Sequence, residues 1–322
     1  MESDSIHRKS NDTMAMLYPL KFQPITKPKV WGSETWALSG YGDDESVVAN
    51  GFLKDNLLSE VQEIYMDELV GGKVYDRFGN FFPLLFKFID AKDDLSIQVH
   101  PTDEQAAAEE QLGKTEMWYV TEAESDATII LGFSRDTTEQ EVRRRLEDDT
   151  VLDVLQVTPV RKGDVAFIPA GRVHALRRGT QVAEIQETSD LTYRLYDYHR
   201  PGLDGKLRPL HVEESMRCLD FKALSEPLTE YPRRDGLTTL VRDSHFVTNM
   251  LQLSHAVERD YAKLDSFVVY MCVEGSVTIH CPDTDCEDVS LQQGETLLVP
   301  AVINDVVLTP YPTAKLLEVF VD

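Results

Sequence analysis

The stretch GDVAFIPAGRVH, Gly163 to His174, decides how the rest of the chain is read. Its skeleton is Gly163, five residues, Pro169, one residue, Gly171, two residues, His174. In a chain of this composition, chance would produce that spacing only about 0.001 times. The run VAFIPA reads as a short strand ended by a turn. The segment is also half of a repeat. KGDVAFIPA, Lys162 to Ala170, parallels QGETLLVPA, Gln293 to Ala301. Each follows a strand hairpin, WYVTEAESDATII before the first and VVYMCVEGSVTI before the second. Two copies of one β-module imply two related β-domains.

The remaining chain supports that reading. FFPLLFKFIDA and DLSIQVHP read as two strands, the first apolar enough to be deeply buried. Helices are few. LLSEVQEIYMDELVGG (57–72) is expected to be one, with Ser59 and Gln62 at capping-box spacing. TDEQAAAEEQLG (102–113) is expected to be a second, with Thr102 and Gln105 as its box. TTEQEVRRRLEDDTVLDVLQ and HVEESMRCLDF supply the others. EPLTEYPRRDG (226–236) reads as a linker, and only strands follow it. The expected fold is mainly β: two jelly-roll modules, with a few helices added to the first. The expected division is a disordered tail at 1–16, a catalytic roll at 17–228 and a C-terminal roll at 236–322.

Composition narrows the function. Lys plus Arg is 32 and Asp plus Glu is 56, a net charge of −24. That argues against nucleic acid and against an anionic membrane surface, both themselves negative. A small anionic substrate needs only a local basic pocket. Cys218, Cys272, Cys281 and Cys286 are too few and too scattered for a disulfide scaffold or zinc knuckle, so they read as reduced thiols of the cytoplasm. The start, MESDSIHRKSNDTMAM, has no apolar core of a signal peptide. No stretch reaches the ~18 apolar residues of a membrane span.

The Gly163–His174 segment resembles the second motif of the cupins, with Arg178 where those proteins usually carry Asn. In cupins the Pro-x-Gly turn delivers a histidine into the barrel as a metal ligand, which implies that role for His174. The first motif then falls at SIQVHP and KTEMWYV. Gln98 and His100 are two apart on a strand and share a face. Glu116 enters the next strand. Two imidazoles and a carboxylate, His100, Glu116 and His174, make a catalytic type of divalent site with open positions. Gln98 offers its carbonyl oxygen as a weak fourth ligand. In the second repeat Asp305 stands at the offset of His174, so the C-terminal roll is expected to be metal-free. One isolated histidine is more often a hydrogen-bonded structural residue. That reading suits His7, His245, His255 and His280; His199 and His211 flank the next segment.

TYRLYDYHRPGLDGKLRPLH, Thr192 to His211, is aromatic and basic in an acidic protein. Arg194, Tyr196 and Tyr198 alternate on one strand face. Either Arg194 pairs with Asp190 or Asp197 and stabilises a β-edge, or its guanidinium stabilises negative charge on a substrate. Together QVHP, GKTEMWYV, GxxxxxPAGxxHAL, the S-D-x-TYR-x-YDY-x-R run and the early VWGSETWALS resemble the type I mannose-6-phosphate isomerases, in their short bacterial form. The resemblance implies zinc, one ion per chain, on His100, Glu116 and His174. It implies Arg194 as the essential arginine and Lys114 and Gln98 against substrate. The implied reaction interconverts mannose 6-phosphate and fructose 6-phosphate through a cis-enediol.

Glu187 departs from the pattern, where Gln is expected. Glu187, Asp197, Lys114, His199 and a water on the ion all stand as candidates for the proton-transfer base. Lys92, Arg172, Arg200, Lys206 and Arg208 are candidates for the phosphate. Two other functions compete: a different cupin metalloenzyme of the iron-oxygenase type, and a non-catalytic cupin that binds sugar phosphate.

Overall fold

The first roll is built from two antiparallel sheets. The computed structural model describes residues 16–282 and 284–322, so the tail expected over 1–16 lies, except for Met16, outside the described residues. Six strands form one sheet in the order Ile25–Lys29, Gly32–Leu38, Leu84–Ala91, Thr180–Glu187, Glu116–Ala123 and Val165–Ile168. Five form the other: Tyr193–Tyr196, Ile97–Val99, His174–Leu176, Thr128–Phe133 and Leu155–Pro159. The sheets pack face to face. Ile89, Trp118 and Ala166 of the first share a core with Ile129, Leu131 and Leu176 of the second. A strand is apolar on both faces where both are covered, and FFPLLFKFIDA reads that way because Leu84–Ala91 is buried along nearly its whole length.

From Gly236 onward every regular element among the described residues is a strand, and these build the second roll. Its long strands Val268–His280 and Asp305–Phe320 pair along much of their length and carry register shifts at Cys272/Glu274 and Gly275/Val277. Bulges of this kind bend a strand and increase its twist. Gly275 sits at φ +72, and a Cβ there would meet the Thr313 carbonyl oxygen at 2.1 Å, so only glycine fits the bend. The repeat is real in structure: Val165–Ile168 edges one roll and Thr296–Val299 lies beside Val268–His280 in the other. One strand crosses between the rolls. Leu20–Lys21 pairs with Leu298 and Leu297.

Two helix readings need correction. The first helix spans Leu58–Val70, and Ser59 and Gln62 do not form its cap. Glu60 accepts the Leu57 N–H at 2.8 Å instead, and the buried Gln62 amide donates to the Gly79 carbonyl. The helix starts before Ser59, which lies inside the first turn with its N–H and hydroxyl both donating to Glu45. The second helix keeps its box: Thr102 Oγ1 accepts the Gln105 N–H at 3.3 Å and Gln105 Oε1 the Thr102 N–H at 2.9 Å. It is far shorter than expected, Asp103–Ala106 followed by a 3₁₀ turn at Ala107–Glu109.

The helix Leu58–Val70 and its successor Gly72–Phe78 lie against the second roll. Ala301 and Val302 N–H groups donate to the Leu69 and Glu68 carbonyls, and Phe267 N–H to Val70. No helix among the described residues is long and apolar enough to cross a membrane.

Candidate metal centre

Strand register brings the expected ligands together. His174 opens its strand and sits directly opposite Gln98, which in turn sits opposite Arg194. Directly opposed residues share a face, so Arg194, Gln98 and His174 form one row inside the roll. His100 follows the Gln98 strand, and its carbonyl accepts the Gly171 N–H at 2.9 Å. This bond ties the Pro-Ala-Gly turn to His100. Gly171 has φ +87, and a Cβ there would lie 2.8 Å from the Cys218 carbonyl oxygen. The glycine of the motif is therefore required by both backbone and space. Glu116 opens its strand in the opposite sheet.

The three side chains converge. Glu116 Oε1 is 3.2 Å from His174 Nε2, and Glu116 Oε2 is 3.5 Å from His100 Nε2. Ligands about 2.1 Å from a tetrahedral zinc stand about 3.4 Å from one another, and these distances bracket that value. Each imidazole is held from behind. His100 Nδ1 donates to the Leu191 carbonyl and His174 Nδ1 to the Arg172 carbonyl, both at 2.8 Å. A carbonyl can only accept, so both protons sit on Nδ1 and both Nε2 lone pairs face the centre. His100 Nε2 and both Glu116 carboxylate oxygens are buried with no hydrogen-bond partner. Buried polar atoms without partners are costly, and a divalent cation would satisfy all three. The residues present therefore fit a metal ion. Burial holds the His174 pKa down at about 4 and His100 well below its usual range, with Lys114 adding to the latter. Both are neutral imidazoles at pH 7, the form able to bind a cation.

Gln98 and Lys114 border the trio. Gln98 Nε2 lies 3.3 Å from His174 Nε2. A half-turn of that amide presents its carbonyl oxygen to the same point. Lys114 Nζ is 3.4 Å from Glu116 Oε2 and almost fully buried. Arg194 donates from Nη1 to the Pro209 carbonyl at 2.8 Å, while its Nε is buried without a partner. Neither Asp190 nor Asp197 pairs with it: Asp197 accepts from Arg200 and bidentately from Arg208, at 2.6 and 2.7 Å. Arg194, Arg200 and Arg208 thus form a basic cluster. Burial, and then Arg208, lowers the Arg194 pKa.

The other candidates are placed elsewhere. His199 is exposed and bonds Asp149 at 3.0 Å. His211 Nδ1 accepts the Arg194 backbone N–H. Lys92 is 70% exposed and pairs with Asp90. Lys206 is exposed, and Arg172 donates to the Phe167 carbonyl. Glu187 accepts the Thr115 N–H at 2.7 Å and faces His245, and burial pushes its carboxyl up to about 7.

A buried pair beside the ligands escaped the sequence reading. Lys87 Nζ lies 3.1 Å from Glu184 Oε1 and donates to Gln186 Oε1 at 2.6 Å. Trp118 Nε1 donates to Glu184 Oε2. The three occupy one row of the six-stranded sheet, next to the Glu116–Gln186 register pair. Burial works against the Lys87 charge, yet Glu184 and Glu34 raise its pKa overall. Burial and Glu184 raise the Glu116 pKa in the same network. The one signal was Lys87 itself, a lone cation within PLLFKFIDA.

A profile of the type I phosphomannose isomerase catalytic domain matches residues 8–124. The mannose-6-phosphate isomerase ManA of Bacillus subtilis is 36% identical over 278 residues, 80% of this chain and 86% of that protein. The chain belongs to the mannose-6-phosphate isomerase family. It is an enzyme of that family, with two cupin-type rolls. The mannose-6-phosphate isomerase of Streptococcus mutans is 33% identical over 309 residues, covering 90% of this chain and 94% of that one. The crystal structure of the Bacillus subtilis mannose 6-phosphate isomerase superposes with a TM-score of 0.83 at 29% identity, over 94% of this chain and 99% of that one.

Proposed function

We propose that this enzyme interconverts mannose 6-phosphate and fructose 6-phosphate through a cis-enediol, with one zinc ion held by His100, Glu116 and His174. The observation that carries the reading is the convergence of buried, unpartnered His100 Nε2 and Glu116 oxygens on the His174 imidazole. The names of its relatives support the substrate. The reaction moves a proton between C2 and C1 of the open-chain sugar. The bound ion supplies Lewis-acid polarisation of the carbonyl and offsets developing negative charge.

The chain's own residues do the rest. The carbonyls of Leu191 and Arg172 fix the two imidazoles, so the ligand geometry is set before substrate arrives. Arg194, in the same row as Gln98 and His174, binds the enediolate more tightly than the sugar, and only that difference raises kcat. Arg200 and Arg208, locked by Asp197, present the pre-organised guanidinium surface that suits a phosphate. Lys114 Nζ and the Gln98 amide hydrogen-bond sugar oxygens beside the ion. Of the side chains considered for proton transfer, Lys114 alone stands at the trio. Residues 17–228 form the catalytic unit and 236–322 a roll whose own barrel binds no metal. The four cysteines are free thiols, which supports a reducing, cytoplasmic location.

A coupled assay of fructose 6-phosphate formed from mannose 6-phosphate tests the reading. Turnover should disappear with a chelator and return with zinc. Chelator-resistant turnover overturns the metal role. Sugar-phosphate binding without turnover, or oxygen uptake, overturns the isomerase assignment.

A further inference from the structure

A second convergence of ligand atoms lies where the two rolls meet. His245, in the turn before Val247–Leu253, reaches from the C-terminal roll toward Asp103 and Glu187 of the first. Its Nε2 is 3.7 Å from Asp103 Oδ2 and 3.6 Å from Glu187 Oε2. All three ligand atoms lie within 4.8 Å of one another. The 3.6 and 3.7 Å separations are close to the ~3.4 Å expected between two donors of one tetrahedral ion.

Each donor is anchored through its other atom. His245 Nδ1 bonds the Asp243 carboxylate at 2.6 Å. Glu187 Oε1 accepts the Thr115 N–H at 2.7 Å, and Asp103 Oδ1 accepts the Gly113 N–H at 2.8 Å. This leaves Nε2, Oε2 and Oδ2 as the inward atoms. A carboxylate behind an imidazole is the usual outer support of a histidine ligand. Charge points the same way. Asp103, Glu187 and Asp243 share one imidazole, and among the described residues no Lys or Arg lies within 4 Å of any of the three. One imidazole cannot balance three carboxylates, and burial disfavours the charged form of Glu187, only 5% exposed, so that a bound cation would be what holds it ionised. Anions held together in a poorly solvated place favour a dication.

We propose that Asp103, Glu187 and His245 form a second divalent-cation site, separate from the His100–Glu116–His174 trio, that clips the C-terminal roll to the metal-bearing one. One imidazole and two carboxylates suit zinc or manganese, with water completing the shell on the exposed Asp103 side. The clip would act close to the first site, because Asp103 follows His100 by three residues and Thr115 precedes Glu116.

Zinc is the probe. The full chain, stripped with chelator and dialysed, is titrated with Zn²⁺ by calorimetry and its metal content measured after gel filtration. The wild type should take up two equivalents. Asp103→Asn and His245→Gln should each take up one, and His174→Ala should lose the other equivalent instead. Asp243→Asn should weaken the second equivalent about 10–100-fold. Asp103 is exposed, so its variant does not depend on core packing to fold; circular dichroism checks both. One equivalent in the wild type overturns the second site, as it would if His245 served only as an ion-paired cation. Two equivalents in folded Asp103→Asn and His245→Gln also overturn it. Failure of the His174→Ala arm alone would count against the first site and leave the second standing.

Discussion

Removing the Arg194 guanidinium should cost turnover and leave the fold nearly untouched. In the structure Arg194 makes one side-chain hydrogen bond, to the Pro209 carbonyl. Among the described residues it has no carboxylate within 4 Å, since Asp197 is taken by Arg200 and Arg208. The folded state therefore loses about 0.5–1.5 kcal/mol of hydrogen bonding in Arg194→Ala. Relief of burial and of repulsion from Arg208 and Arg200, set against the lost attraction of Asp197, offsets part of that loss, because the net effect of these influences is to depress its pKa. For a chain of this size the melting temperature should fall by less than about 4 °C. The transition state loses much more. A fixed cation facing a developing enediolate in a water-poor site is worth about 2.7–4 kcal/mol, or about 10²–10³ in kcat. Lys cannot replace the planar fork, so Arg194→Lys should remain impaired. The check is kcat and KM from the coupled assay, with metal content and melting temperature measured on the same preparation. We expect full metal, a near-normal melt, and a fall in kcat larger than the rise in KM. Wild-type kcat in folded, metal-loaded Arg194→Ala would refute the role. A melting loss that accounts for the missing activity would return Arg194 to a purely structural part.

Three further outcomes follow from the same geometry. His174→Ala should lose zinc and turnover together, read by elemental analysis and the coupled assay; unchanged metal content would sink the ligand assignment. Lys87→Met should cost about 3–5 kcal/mol in urea unfolding, because it leaves Glu184 a buried, uncompensated charge. Adding Glu184→Gln should recover part of that, and a single variant as stable as wild type would show the pair to be idle. Glu34 supplies a pH test: burial opposes its charge, but Lys87, Lys29 and the Trp36 N–H pull its pKa from 4.5 down to about 2. A depressed folded pKa means that the stabilisation is present above about pH 4.5 and lost as pH falls toward 2, about 3 kcal/mol at most. Metal-free Glu34→Gln should show a flatter stability curve over that window, and an unchanged slope there would refute the pairing.

The parts of the site that were legible in the sequence are those set by local geometry. His174 follows a turn whose Gly171 is demanded by its φ of +87 and by the Cys218 carbonyl beside it, so a spacing of a few residues carries the information. His100 stands two residues from Gln98, just past the end of the strand Ile97–Val99, and Thr102 with Gln105 close a capping box within one turn. What stayed hidden depends on register between distant segments. The pairing of Lys87 with Glu184 and Trp118 requires three strands from separate stretches to align, and no local pattern encodes that alignment. The meeting of His245 with Glu187 needs two rolls docked together. The same division explains the misplaced helix cap. Ser59 and Gln62 have the right spacing, but Glu45 takes the Ser59 N–H and Gly79 takes the Gln62 amide, and these tertiary bonds outweigh a cap worth only about 1 kcal/mol. Chemistry in this protein follows that boundary: the residues proposed to hold zinc are read locally, while the charges around them, Lys87, Glu184 and Lys114, act through packing. A substitution that preserves every motif residue yet shifts the register of Thr180–Glu187 should therefore disturb the centre as much as the loss of a ligand.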